Sequence, residues 1–344
     1  MKACPLPPLW NLASLFPLWR ELLAPINEFV IGESPYSKEA LDFLLNLYGA
    51  KVLGWKELSP SADGSVLLID IERELMERQP YLTRRIDSLK GLVLKAKATP
   101  RNGRGGNVKS VVITQAGVRV IQPIWDRYRE LSECLLEGVS ISDRTAHYRV
   151  NRAIREKMTG IRLPPCEDSS QIHVVYTVMG VFEVERDLRA NWLPSLLGGT
   201  LGGREAELLL TEYSILKATC PGTVPQPGRF IACEGPLNLL VARDLPALRR
   251  AHLIELSSAR KRQGKLSAFR LSQAGIRAAD ALWQKLEKKA ESWLAGVSTA
   301  ERKMHLEVNG RIQSRLRPAW KRLLAAPGRR RGTAAELRVA KTSS

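Results

Sequence analysis

The sequence predicts a mainly α fold with small β-hairpins, built as two tandem copies of one unit. Three observations predict it. The segment from Ile113 to Arg119 recurs as Leu271 to Arg277, and the match runs without a gap through 154 and 312, with 15 identities in 42 positions. Each copy carries apolar residues at steps of three and four, the spacing of one helix face. Ahead of each copy, two short apolar runs flank a glycine-containing basic stretch, as in a hairpin.

In the repeated piece, Thr114 and Ser272 are candidate N-caps. The stripe that follows is Val118, Ile121, Trp125, Tyr128 and Leu135 in the first copy, and Ile276, Ala279, Trp283, Leu286 and Trp293 in the second. Trp125 and Trp283 are therefore expected in the core, not as base-stacking platforms. Gly138 and Gly296 end the long helix, and Ser140 to Asp143 and Ser298 to Glu301 read as capping boxes of a last helix. That last helix repeats Arg144, His147, Val150, Asn151 and Ile154 as Arg302, His305, Val308, Asn309 and Ile312. Neither histidine has a second ligand four residues on, so both are expected to pack at a helix interface and no metal site is expected.

Upstream of each long helix the hairpins are expected at 92–94 with 110–113, and at 253–256 with 268–271. Their tips are basic and glycine-rich: Arg101, Arg104 and Lys109 in the first, Arg260, Lys261, Arg262 and Lys265 in the second. Glycine lets backbone approach a phosphate ribbon and the cations neutralise it. Further upstream, residues 70–89 read as two short helices around a tight turn. The second carries Gln79, Tyr81, Thr83, Arg84 and Arg85, the pattern of a helix-turn-helix with its second helix in a major groove. The corresponding helix of the second copy is expected over 237–251, with Arg243, Arg249 and Arg250; Pro236 precedes it, and Pro246 inside it is expected to break or shorten it unless it lies in the first turn.

The order of helix-turn-helix, strand, basic wing, Ile113-Thr114-x-x-Gly117 and long helix resembles the MarR family of winged-helix transcriptional regulators. The second copy has the same order, with Leu209 to Tyr213 opening a helix, then the Leu253-Ile254 strand, the wing and Leu271-Ser272-x-x-Gly275. The family wing usually reads Asp-Arg-Arg-Asp-Gly-Arg. Arg262 and Gly264 match it, Lys265 is a conservative change, and Arg104 takes the place of Arg262 in the first copy. The wing aspartates are absent: Asn102 and Gly105 stand there in one copy, Arg260 and Gln263 in the other. The resemblance implies two tandem winged helix-turn-helix domains in one chain, an intramolecular pseudo-dimer, whereas family members are homodimers of a unit about half as long. It also implies that the last helices, 140–157 and 298–316, meet between the halves. It further implies sequence-specific binding of double-stranded DNA at an imperfect palindrome and a role in transcription regulation. Family members often bind a small aromatic acid, but no polar cluster here identifies an effector.

The chain then divides into an N-terminal arm (1–25), a first winged-helix unit (26–160), a linker (161–171), a second unit (172–318) and a basic tail (319–344) expected to be disordered. The arm reads as a short extended stretch followed by an amphipathic helix. With 53 lysines and arginines against 35 acidic residues in 344, the net charge is +18, which favours a polyanionic partner. At 44% hydrophobic the chain is too apolar to be disordered throughout. Five cysteines without a Cys-x-x-Cys pair fit neither a disulfide framework nor structural zinc, and a reducing, cytoplasmic, nucleoid-associated location is expected. Cys134 is expected to be an inert buried thiol. Secretion, a membrane span, a cofactor and enzymatic chemistry are not expected. A replication initiator or partition protein of a plasmid or mobile element is the alternative. An RNA-binding or protein-interaction module is a third reading. The chain is expected to act as a monomeric pseudo-dimer, with homo-oligomers open.

Overall fold

A helix starts cleanly where a hydroxyl can accept from its first free N–H groups, and the repeat begins on such a residue twice. Ser272 accepts from the Gly275 N–H at 3.0 Å and Thr114 from the Gly117 N–H at 3.0 Å. From these caps run two helices of 21 residues each, α6 (Gln115–Leu135) and α12 (Gln273–Trp293). The computed structural model describes residues 7–32, 34–52, 60–75, 79–98, 108–160, 174–196, 201–219, 224–228, 230–232, 245–257 and 268–325. Most of the expected stripe is buried in both helices, from Ile121 to Leu135 and from Ile276 to Trp293, while Val118 is half-buried.

The chain is mainly helical, with two small antiparallel sheets among the described residues. Ahead of α6 lie α1 (Leu9–Ala13), α2 (Leu15–Pro25), α3 (Lys38–Val52), β1 (Val66–Leu67), α4 (Leu68–Leu75), α5 (Gln79–Ser88), β2 (Val93–Ala98) and β3 (Val108–Ile113). After it come α7 (Ile141–Thr159), α8 (Val174–Asp187), α9 (Leu193–Leu196), α10 (Gly203–Thr219), β4 (Ile231–Ala232), a short helix α11 over 245–250, β5 (Ile254–Leu256) and β6 (Ala268–Leu271). The chain then enters α12 and α13 (Thr299–Ala325). Wide π-helical turns at Ile26–Ile31 and Leu188–Trp192 continue α2 and α8.

The order of elements repeats beyond the ungapped match. Helices α3 and α10 start 165 residues apart, at Lys38 and Gly203. The sheets run β1-β3-β2 and β4-β6-β5, with Val93 opposite Ile113 and Ile254 opposite Leu271. The outer strands β1 and β4 carry no hairpin pattern, being two residues each. In both copies the hairpin's first strand is clamped to the helix cap. Thr114 donates its hydroxyl to the Gly91 carbonyl at 2.7 Å, and Ser272 to the His252 carbonyl at 2.7 Å. A side chain at Gly117 or Gly275 would overlap the carbonyl of Leu92 or Leu253, so the Gln-Ala-Gly of the repeat marks a close approach of helix to strand. Tyr48 and Tyr213 are a further matched pair. Each packs on the stripe tryptophan of its copy, with ring centroids 5.9 Å from Trp125 and 5.6 Å from Trp283. Their hydroxyls donate to Gln122 and Asp280, residues one turn from those tryptophans.

The described residues group into two spatial units. Of these, 7–25, 132–160 and the described residues from 174 to 319 form one, and the described residues from 26 to 131 with 320–325 the other. Two stretches differ from the sequence expectation. Residues 9–25 are two helices, not an extended arm leading into one, with Leu9, Leu12, Leu15, Phe16, Leu18 and Leu22 buried. Pro8 precedes α1 and Pro17 sits in the first turn of α2, where a missing N–H costs no intrahelical bond. Helix α13 runs on through 319–325, assigned above to the tail. Pro318 is tolerated inside it, with Leu316, Ala319 and Leu323 buried. Leu209 to Tyr213 lies within α10 and does not open it.

The clamp residue differs between copies. Gly91 has φ 83°, and His252, in the same place, has φ 56°, which a side chain resists. We expect Gly117→Ala and Gly275→Ala each to cost about 1–3 kcal/mol or more from overlap with backbone. Gly91→Ala should cost about 1 kcal/mol, while His252→Gly should be neutral or stabilising by up to about 1 kcal/mol. Urea unfolding of the four variants measures this; a destabilised His252→Gly would contradict it.

Candidate nucleic-acid interface

Helix α5 is amphipathic over a single face. Leu82, Ile86 and Leu89 are buried, while Pro80, Tyr81, Arg84, Asp87 and Ser88 are exposed and Thr83 and Arg85 half-buried. Tyr81 is 60% exposed, unusual for so large a ring, and the Arg84 guanidinium carbon lies 5.7 Å from its centroid. Lys95 on β2 donates to Asp87 at 2.6 Å, tying the sheet to the helix. Arg85 acts on Glu39 in α3. That carboxyl is held below its usual range first by backbone hydrogen bonding at its own helix start, then by the Ser37 hydroxyl, with Arg85 adding to it.

The expected site residues fall into three groups. Tyr81, Thr83, Arg84 and Arg85 share α5, and Gln79 begins it. Lys109 is exposed on β3. Arg249 and Arg250 are exposed on α11, where Leu245 and Leu248 are buried and Pro246 lies in the first described turn. With Leu245, Pro246 and Leu256 they border an open cavity of about 400 Å³. Arg101, Arg104, Arg243, Arg260, Lys261, Arg262 and Lys265 lie outside the described residues, as does the linker at 161–171.

The last helices α7 and α13 meet through a buried polar cluster. His147 and His305 stack with ring centroids 4.6 Å apart at 14°. His147 Nε2 donates to Asn309 Oδ1 at 2.7 Å, and His305 Nε2 donates to Asn151 Oδ1 at 2.9 Å. Within each helix the asparagine amide points back to the histidine Nδ1, both at 3.4 Å. Asn11 of α1 adds a bond to His305 Nδ1 at 3.1 Å and one to the Arg302 carbonyl at 2.9 Å, and Asn309 donates to Ser14 at 2.8 Å. These partners require Nε2–H and a bare Nδ1 on both rings, that is, two neutral imidazoles. Burial pushes His147 down to about 4 against the Asn309 bond, and pushes His305 well below its ordinary value, with the neighbouring His147 adding to it. Sequence spacing alone pointed to packing for this pair and gave no sign of the reciprocal bonding.

A second link had no sequence signal. Arg155 on α7 is buried and donates to Glu183 at 2.8 Å and Asp187 at 2.9 Å on α8. Beside it, Gly180 lets α8 approach Asn151, where a side chain would press on the amide. Cys134 is half-buried, not fully buried, because it sits off the apolar stripe of α6. Among the described residues there is no group of three metal-ligating side chains, and no helix is long and apolar enough to cross a membrane.

The histidines fix a pH dependence. Their folded-state affinity for protons lies below that of the unfolded chain, near 6.5, so the unfolded state takes up protons first as pH falls. Stability contributed by the neutral pair is complete above about pH 6.5 and declines from there toward pH 4, by up to about 1.4 kcal/mol per pH unit for each ring. Glu39, Asp63 and Glu301, held low by hydrogen bonds, add losses only below about pH 4.5. Denaturant midpoints between pH 7.5 and 4.5 should fall for the native chain and flatten in His147→Gln/His305→Gln; an equal slope in both would contradict this. Comparison with protein-family models, with curated proteins and with solved structures finds no match to the chain.

Proposed function

We propose that the protein is a sequence-specific, double-stranded DNA-binding transcriptional regulator. In this reading two tandem winged helix-turn-helix units, similar to those of the MarR family, act from one chain as a pseudo-dimer. One observation carries the reading: α5, the next helix after α4, presents the exposed Tyr81 and Arg84 in a chain of net charge +18. A helix anchored by Leu82 and Ile86 on one side and bearing Tyr81 and Arg84 on the other suits a major groove. The repeated element order and the paired last helices support two such units on an imperfect palindrome. Lysine and arginine contacts to phosphates would supply most of the affinity, and α5 the discrimination.

The two reading helices differ. The described part of α11 carries Pro246 in its first turn and offers Arg249 and Arg250, so in this reading the second copy contacts phosphates more than bases. Titration of labelled duplex, selected from a random library, tests both points. Affinity should fall with log salt at a slope on the order of −5 or steeper. Arg84→Ala/Arg85→Ala should reduce the ratio of specific to non-specific binding by about ten-fold or more. Arg249→Ala/Arg250→Ala should weaken both alike and reduce the salt slope by about one to two. Selection that enriches no duplex, or equal loss of discrimination from the two pairs, would contradict the proposal.

A further inference from the structure

Helix α5 carries two adjacent arginines with different surroundings. Arg85 is half-buried and its charge falls on Glu39. Arg84 is exposed, and none of the ion pairs among the described residues includes it; Asp87, one turn on, is held by Lys95 at 2.6 Å. What Arg84 does touch is the ring of Tyr81, three residues earlier on the same exposed face, 5.7 Å from guanidinium carbon to centroid. A guanidinium resting against an aromatic ring loses much of its rotational freedom before any partner arrives, so less is lost when it docks. Its N–H groups at the plane's edge match two acceptors side by side, as guanine offers with O6 and N7 in the major groove. The ring beside it is 60% exposed, and an exposed aromatic edge in that groove has one apolar partner, the 5-methyl group of a pyrimidine.

We infer that Tyr81 and Arg84 together select a 5-methylpyrimidine next to a guanine on one strand, a thymine–guanine step or its 5-methylcytosine counterpart. This rests on the DNA-binding reading above. Arg84 reads the guanine and Tyr81 has two tasks: it covers the methyl group and holds Arg84 in line. The pair therefore discriminates as a unit, and Arg85 does not take part.

Chemically altered bases test this with the full chain. Duplexes are selected from a random library, and each thymine beside a guanine is replaced by deoxyuridine, which removes only the methyl group. At the step read by α5, uracil should weaken binding by about four-fold, the worth of one buried methyl group. At the adjoining guanine, 7-deazaguanine, which lacks the N7 acceptor, should weaken it on the order of ten-fold. Tyr81→Phe should keep both penalties, Tyr81→Ala should abolish the first and reduce the second, and Arg84→Lys should abolish the second. A chain that enriches no duplex overturns both this inference and the function it rests on. A chain that binds its selected duplex but tolerates both altered bases, or selects no such step, overturns the inference alone. A Tyr81→Phe loss as large as that of Tyr81→Ala would assign the hydroxyl, not the ring, and overturn it too.

Discussion

Two buried histidines stacked face to face join the last helices of the two copies, and the pairing of those helices depends on both rings being neutral. Each imidazole has one donor and one acceptor; each donor meets an asparagine oxygen and each acceptor the amide of the asparagine four residues on, with Asn11 as a second donor to His305. The bonding crosses over: the histidine of α7 donates to the asparagine of α13, and the histidine of α13 to the asparagine of α7. A buried polar group without a partner would cost about 1–3 kcal/mol, so a displacement of either helix that broke the crossing would leave four such groups. The cluster therefore fixes the register of α7 on α13 in a way that the surrounding leucines and valines alone would not.

This constraint explains how the spatial units differ from the sequence copies. The last helix of the first copy, with the N-terminal helices, groups with the second copy. Helix α7 is held there by two neighbours: by α13 through the histidine–asparagine cluster, and by α8 through Arg155 bridging Glu183 and Asp187 and through the close approach at Gly180. A buried arginine between two carboxylates gives direction more than net stability, since desolvation offsets much of its Coulomb gain. The symmetric element, the cluster, is inherited by both copies from the repeat. The asymmetric elements, Arg155 and Asn11, have no counterpart there: Gln313 stands where Arg155 would repeat. The duplicated parts supply a self-complementary contact, and the unique parts bind the first copy's helix to the second copy.

Much of the fold was legible because the repeat falls on residues with short-range mechanical reasons to be there. Thr114 and Ser272 cap, Gly138 and Gly296 turn the chain at positive φ, and Ser298 with Glu301 forms a reciprocal capping box. Each is a local bond that sequence spacing specifies. The stripe through Trp125 and Trp283 was legible for the same reason. What escaped were contacts made at long range by residues of no fixed spacing. Tyr48 and Tyr213 find their tryptophans from another helix, and the two-residue strands β1 and β4 are too short to carry alternation. Neither Pro17, in a first turn, nor Pro318, on an exposed face, ends the helix it sits in, so the helices at both ends run further than the sequence spacing shows. In the candidate interface, the basic character of α5 was readable, whereas the division between Arg84 and Arg85 depends on Glu39 and Tyr81 and needed coordinates.

The central claim is that the crossed histidine–asparagine bonds couple the two copies. A double-mutant cycle on His147→Ala and Asn309→Ala, read by denaturant unfolding at pH 7.5, measures that coupling directly. The account predicts a coupling of about 1–3 kcal/mol, because the second truncation removes a group the first has already left without its partner. Strictly additive losses would mean that the two side chains do not depend on each other, and that something other than this cluster sets the pairing of α7 with α13.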